Sequence, residues 1–213
     1  MKKIICMLLC FITLYSGCDK NNNTKDIPSK IKTDDNSTIN SPINARNLDN
    51  YLFRKDVQYI DLRSTKMIIE EGYVAGFEFI PFYSIIASFR ENEALYQMKE
   101  TIDENGDSHS AGQIGGFIAQ YEESESIINS IFKKDKYIFL ISQGGSESAY
   151  VINLLIQLGY NGNLLYNVGG VSNSEGVESY RSIENNKYYV EGQGNYFDVS
   201  IEYDFLENLT PMN

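Results

Sequence analysis

The chain has 213 residues, 42% hydrophobic and 13% aromatic, with 18 basic against 29 acidic side chains and a formal net charge of −11. That is material for one globular domain with a real core. It argues against nucleic-acid or anionic-lipid binding by charge, since both need basic patches, and solubility is reason enough for the acidic excess.

The chain opens on a short basic stretch, Met1–Lys3, followed by an apolar run at 4–15, IICMLLCFITLY. A membrane span needs about 20 apolar residues, so the run is too short to cross a bilayer but suits the core of a signal peptide. It leads into LYSGC at 14–18. Small residues directly before a cysteine resemble the lipobox of bacterial lipoproteins, which implies a signal peptide over 1–17 and a lipid-bearing N-terminal Cys18. Tyr15 departs from that pattern, where leucine is usual; an ordinary secretory signal is the alternative. Cys6, Cys10 and Cys18 are the only cysteines. The first two leave with the signal and the third carries lipid, so the mature domain has no thiol, disulfide or zinc–thiolate site.

Residues 18–45 read as a lipid-anchored flexible tether. They are rich in Asn, Asp, Ser, Thr and Lys, with two prolines and no aromatics, and such a segment buries too little to order itself. A coil of this length reaches about 30 Å.

From residue 46 element types alternate. The spacing predicts a helix at 47–55, a strand at 57–60, a helix at 65–71 and a strand at 77–80 closed by Pro81. Helical spacing recurs at 83–99 and 115–132. KYIFLI, 136–141, is a strand buried on both faces. An amphipathic helix follows at 146–158, stopped by Gly159, then a strand at 164–166 leading to Gly169 and Gly170. The alternation predicts an α/β domain with a mainly parallel sheet flanked by helices, whose functional crevice lies at the strands' carboxyl ends. After Gly170 the chain continues as an extension, 173–213, in which 187–203 reads as a hairpin of two aromatic-rich strands around a glycine turn.

The segment FLISQGGSESAY, 139–150, ends a strand in a small glycine-containing loop before a helix. That is how backbone N–H groups are made to converge on an anion or a nucleophile. Together with YIDLRS (59–64), EEGYVAGFEFIPF (70–82) and LLYNVGG (164–170), it resembles the successive signatures of rhodanese-like domains. That family shows a strand ending in D-x-R, a G-H-I-x-G-A-x-x-I-P segment, a C-x-x-G-x-R-S loop before a helix ending L-G-Y, and a closing Gly-Gly strand. The resemblance spans most of 46–172.

By resemblance, Asp61 and Arg63 fall on the D-x-R pair and brace the sheet end. Gly72, Gly76 and Pro81 match the second signature, with Tyr73 where histidine is frequent. The binding loop is Ser142, Gln143, Gly144, Gly145, Ser146, Glu147 and Ser148; Gly145 and Ser148 match the pattern. Ser142 takes the place of the nucleophilic cysteine and Glu147 that of the arginine. A serine oxygen cannot hold a persulfide, and without an adjacent base it is a weak nucleophile near neutral pH; Glu147 repels the anions such a loop would attract. The expectation is a catalytically inactive rhodanese-like domain that binds an unknown small ligand or an envelope protein, without cofactor or metal. It would be held to the cell membrane, facing outside the cytoplasm, by lipid on Cys18. A sulfurtransferase or other loop-centred enzyme that stays active despite Ser142 and Glu147 is the alternative.

Two other motifs fall short. GGSESA has a serine in a frame close to the nucleophile elbow of α/β-hydrolases, but the only histidine, His109, precedes it in a polar stretch that reads as an exposed loop. Asp103, Asn105 and Asp107 are spaced like the start of a calcium loop, yet Ser108 and Ile114 stand where Gly and a bidentate Glu are required. The long connection between Pro81 and Tyr137 exceeds the family's usual single helix. Its excursion near 97–116 is expected over or beside the crevice.

Overall fold

The computed structural model describes residues 25–102, 108–172, 178–194 and 203–212. After a 3-10 turn at Leu48–Tyr51 come β1 (Val57–Asp61), α1 (Thr65–Glu71), β2 (Gly72–Val74) and β3 (Glu78–Phe79). A π turn at Phe82–Ile86 leads to β4 (Ala87–Ser88), β5 (Tyr96–Ile102) and β6 (Ser108–Ala119). Then follow α2 (Ser124–Ile131), β7 (Tyr137–Ser142), α3 (Ser146–Gln157), β8 (Leu165–Gly170) and β9 (Tyr189–Glu191).

The central sheet has four strands in the order β3-β1-β7-β8, and every pairing in it is parallel. The fold is α/β, with this sheet flanked by helices. Parallel strands covered on both faces need apolar residues at successive positions, and β7 supplies them. Ile138 and Leu140 join the cluster made by α2 and α3 through Ile128, Val151, Ile152, Leu154 and Leu155. Phe139 and Ile141 face the other way, onto Ile43, Leu48, Tyr51, Tyr166 and Tyr180. Alternate residues of one strand therefore anchor two separate cores.

Local chemistry fixes the ends of α1. The Ser64 hydroxyl accepts from Met67 N–H at 3.3 Å, as an N-cap should, and Gly72 ends the helix at φ +97°. A Cβ on Gly72 would lie 2.1 Å from Val190 O. This close approach is where β9 pairs antiparallel with β2. The first strand of the expected hairpin therefore packs onto the domain, and the expected second strand at 195–202 lies outside the described residues.

The connection after Pro81 departs most from expectation. The helix anticipated at 83–99 is a π turn as far as Ile86 followed by two short strands and the bend between them, and that at 115–132 is strand as far as Ala119 and helical, as α2, only from Ser124. Ser88 and its neighbours make a turn that interrupts any helix: Ser88 Oγ donates to Glu93 at 3.0 Å and accepts from Arg90 N–H at 3.1 Å. Beyond it β5 and β6 pair as an antiparallel hairpin, with β4 parallel to β5. His109 thus lies on a strand, opposite Thr101, and not on the exposed loop expected. Asp103, Asn105 and Asp107 lie outside the described residues.

The described base of this hairpin attaches to α3. Gln157, the last residue of α3, receives Phe117 N–H on Oε1 at 3.1 Å and donates from Nε2 to Phe117 O at 3.0 Å. That attachment is at the helix end remote from Ser146. Tyr96, Met98 and Phe117 then pack into the helix-side core.

A second correction concerns the tether. Residues 25–45 lie against the domain, and only the part before residue 25, together with Cys18, falls outside the described residues. Tyr166 donates its hydroxyl to Pro28 O at 3.0 Å, Asn167 Nδ2 donates to Asn36 O at 2.9 Å, and Asn36 Nδ2 donates to Asn153 Oδ1 at 2.7 Å. Ile43 is fully buried. The same polar residues that signal disorder in isolation satisfy their hydrogen bonds on a surface the rest of the chain provides. Among the described residues no helix is long and apolar enough to cross a membrane.

Candidate functional site

β1, β7 and β8 present their carboxyl ends together, and the residues singled out from the sequence gather there. The turn after β7 is built from inside. Ser142 is 0% exposed, and its Oγ accepts from Gly145 N–H at 2.9 Å. Gly145 takes φ +96° and ψ −6° as the residue preceding α3, a left-handed geometry that glycine adopts without strain. Its carbonyl receives Ala149 N–H at 3.1 Å and Asn167 Nδ2 at 2.8 Å. The end of β8 closes the turn from below: a Cβ on Gly170 would meet Gln143 O at 2.4 Å.

The serine oxygen is therefore a structural acceptor. Its hydrogen bond goes to the backbone, and among the described residues Ser142, Ser146 and Ser148 make no hydrogen bond to a carboxylate. A hydroxyl without such a partner is not activated for attack.

Asp61 and Arg63 occupy the end of the neighbouring strand. Asp61 is 0% and Arg63 3% exposed. Arg63 donates from Nε to Asp61 Oδ1 at 3.0 Å and from Nη2 to Oδ2 at 2.7 Å. Nη2 also donates to Gly72 O at 2.8 Å, and Nη1 lies 3.5 Å from Glu71 Oε2. This guanidinium ties the sheet end to α1 and β2, although its Nη1 is buried without a hydrogen bond.

What the loop leaves open is a set of polar atoms. Gln143 Oε1, Glu147 Oε2 and Ser148 Oγ are each buried and make no hydrogen bond. A buried polar atom in that state costs about 1–3 kcal/mol, and more when it is charged. Three such atoms fall within six consecutive residues, while Ser142, Gly145 and Asn167 beside them are fully engaged. Glu147 stands in the first turn of α3, where the helix dipole favours a carboxylate.

Two features around the loop could not be found by reading locally. Tyr83, 50% exposed, stacks edge-on against Phe82 with ring centroids 5.0 Å apart, and Phe82 in turn lies 6.0 Å from Tyr150. Burial first, and then the negative charge of Glu147, push the Tyr83 hydroxyl above the ordinary tyrosine value. On the other side a cavity of about 420 Å³ is lined by Asn36, Ser37, Thr38, Gly144, Ser146 and Asn153, among others. The only cue for either was the position of the loop at a strand end. Among the described residues no group of three or more His, Cys, Asp or Glu side chains could hold a metal. Compared with known proteins, the chain matches no family model, no curated protein and no solved structure.

Proposed function

We propose that the chain is a membrane-anchored lipoprotein of the cell envelope whose degenerate rhodanese-like domain works by binding, with residues 142–148 as its binding loop and no covalent step. One observation carries this reading. The loop keeps the architecture of a cradle between a parallel strand and a helix, yet the residue at its base, Ser142, is sealed from solvent and spends its oxygen on Gly145 N–H. Glu147 adds negative charge to the same turn, which disfavours sulfur-donor anions such as thiosulfate.

The test is thiosulfate-to-cyanide sulfur transfer by the full-length chain in mild detergent, with Ser142→Cys beside it. The wild type forms no thiocyanate above the uncatalysed rate. Turnover by the wild type defeats the binding reading; activity confined to Ser142→Cys shows that only the nucleophile is missing. The anchor is tested separately, by growth of the expressing bacterium with labelled palmitate. Label enters the wild type and is lost in Cys18→Ser; equal label in both removes the lipid from the proposal.

A further inference from the structure

The unpartnered atoms of the loop identify the chemistry of what it binds. Glu147 Oε2 can only accept a hydrogen bond, Gln143 Oε1 likewise, and Ser148 Oγ can do either. All three are buried without a partner, and Ser148 is 0% exposed. A carboxylate in the first turn of a helix is commonly satisfied by the helix's own N–H groups, but Glu147 Oε2 accepts from none of them. Nor does any lysine or arginine among the described residues pair with Glu147, although the chain forms ion pairs at Asp61, Asp56, Glu93 and Glu178. The loop is thus short of donors and carries one uncompensated negative charge.

Tyr83 supplies a second, independent observation. It belongs to a different part of the chain, its ring is half exposed, and it packs edge-on against Phe82, whose ring lies 6.0 Å from that of Tyr150 on α3, one turn beyond Glu147. A carboxylate beside an accessible aromatic face is the combination that holds organic cations, one by charge-assisted hydrogen bonds and the other by the ring quadrupole. Neutral ligands would leave the charge unmatched, and anions would be repelled.

We propose that the loop binds the N–H-bearing end of an organic cation, a guanidinium or a primary ammonium, with Gln143, Glu147 and Ser148 as acceptors and Tyr83 as the aromatic wall. This rests on the reading of the loop as a binding site and specifies its ligand. A guanidinium offers five donors in a plane and a primary ammonium three, so either can meet three acceptors. A quaternary ammonium has none.

Calorimetric titration of the full-length chain in mild detergent decides the matter. The probes are methylguanidinium, butylammonium and acetyl-arginine amide, with urea as a neutral N–H donor and tetramethylammonium as a cation without N–H. Methylguanidinium and butylammonium are to bind about tenfold or more tightly than urea or tetramethylammonium, because hydrogen bonds to a charged group are among the strong ones. Glu147→Gln, which keeps the shape of the side chain, is to weaken both by about tenfold or more, in keeping with the loss of the charge from those hydrogen bonds. Acetyl-arginine amide binding more tightly than methylguanidinium assigns the cation to a peptide; the reverse assigns it to a free small molecule.

Equal binding of urea and methylguanidinium, or affinities unmoved by Glu147→Gln, overturns the cation while leaving the loop as a binding site. Failure of both N–H cations to bind overturns the proposal as well. The underlying reading falls by a separate result, thiocyanate formation by the wild type.

Discussion

Asp61→Ala unfolds with about 3–5 kcal/mol less stability than the wild type, the usual cost of removing one partner from a buried ion pair. The reason is the charge left behind. Arg63 donates to Asp61 from Nε at 3.0 and 3.2 Å, from Nη2 at 2.7 Å and from its backbone N–H at 3.1 Å, in a region closed to water. Without the carboxylate it keeps only Gly72 O at 2.8 Å and Glu71 at 3.5 Å, and Glu71 is itself engaged by the Ser172 hydroxyl. Domains of this kind have about 5–15 kcal/mol in all, so the loss is a large fraction of the total. Urea denaturation measures it. The double substitution Asp61→Leu with Arg63→Met is to recover much of the loss, since replacing both charges by apolar groups leaves none unpaired. A single-variant loss below about 1 kcal/mol would mean that water reaches Arg63, as at an exposed pair.

The pair also matters for the site. Leu62 N–H, between its two members, donates to Ile141 O at 2.9 Å, directly before Ser142. Loosening this sheet end therefore reaches the base of the loop, and Asp61→Ala is expected to weaken cation binding as well as stability.

Removal of everything before Arg46 is the second large effect. A chain beginning at Arg46 is to be about 3 kcal/mol or more less stable than one beginning at Lys25, although the lost residues resemble a linker. Ile43 is fully buried with Leu48 and Tyr166, and deleting such a side chain costs about 2–5 kcal/mol. The hydrogen bonds to Pro28 O and Asn36 O go with it, each worth roughly 1 kcal/mol net. Paired urea titrations of the two chains give the number. Equal midpoints and slopes would return residues 25–45 to the role of a free tether.

The sequence by itself determined the elements whose own residues face both ways or cap themselves. KYIFLI can only be a strand covered on both sides, and β7 is one. SESAYVINLLIQ carries its apolar face at helical spacing behind a glycine turn, and α3 begins at Ser146 as that pattern requires. The position of Ser142 at a parallel strand's carboxyl end followed from these two alone.

Tertiary structure decided the rest. Residues 83–99 and 115–132 have apolar spacing that a helix tolerates, but pairing between β5 and β6 takes up 96–99 and 115–119 and buries Tyr96, Met98 and Phe117. Residues 25–45 have too little apolar surface to order themselves, and they order because Asn153, Gly162 and Asn167 lie where their polar groups can be met. The open acceptors of Gln143, Glu147 and Ser148 are likewise invisible in sequence. Whether a polar atom has a partner depends on every element around it, and periodicity reports only which way a residue points from its own.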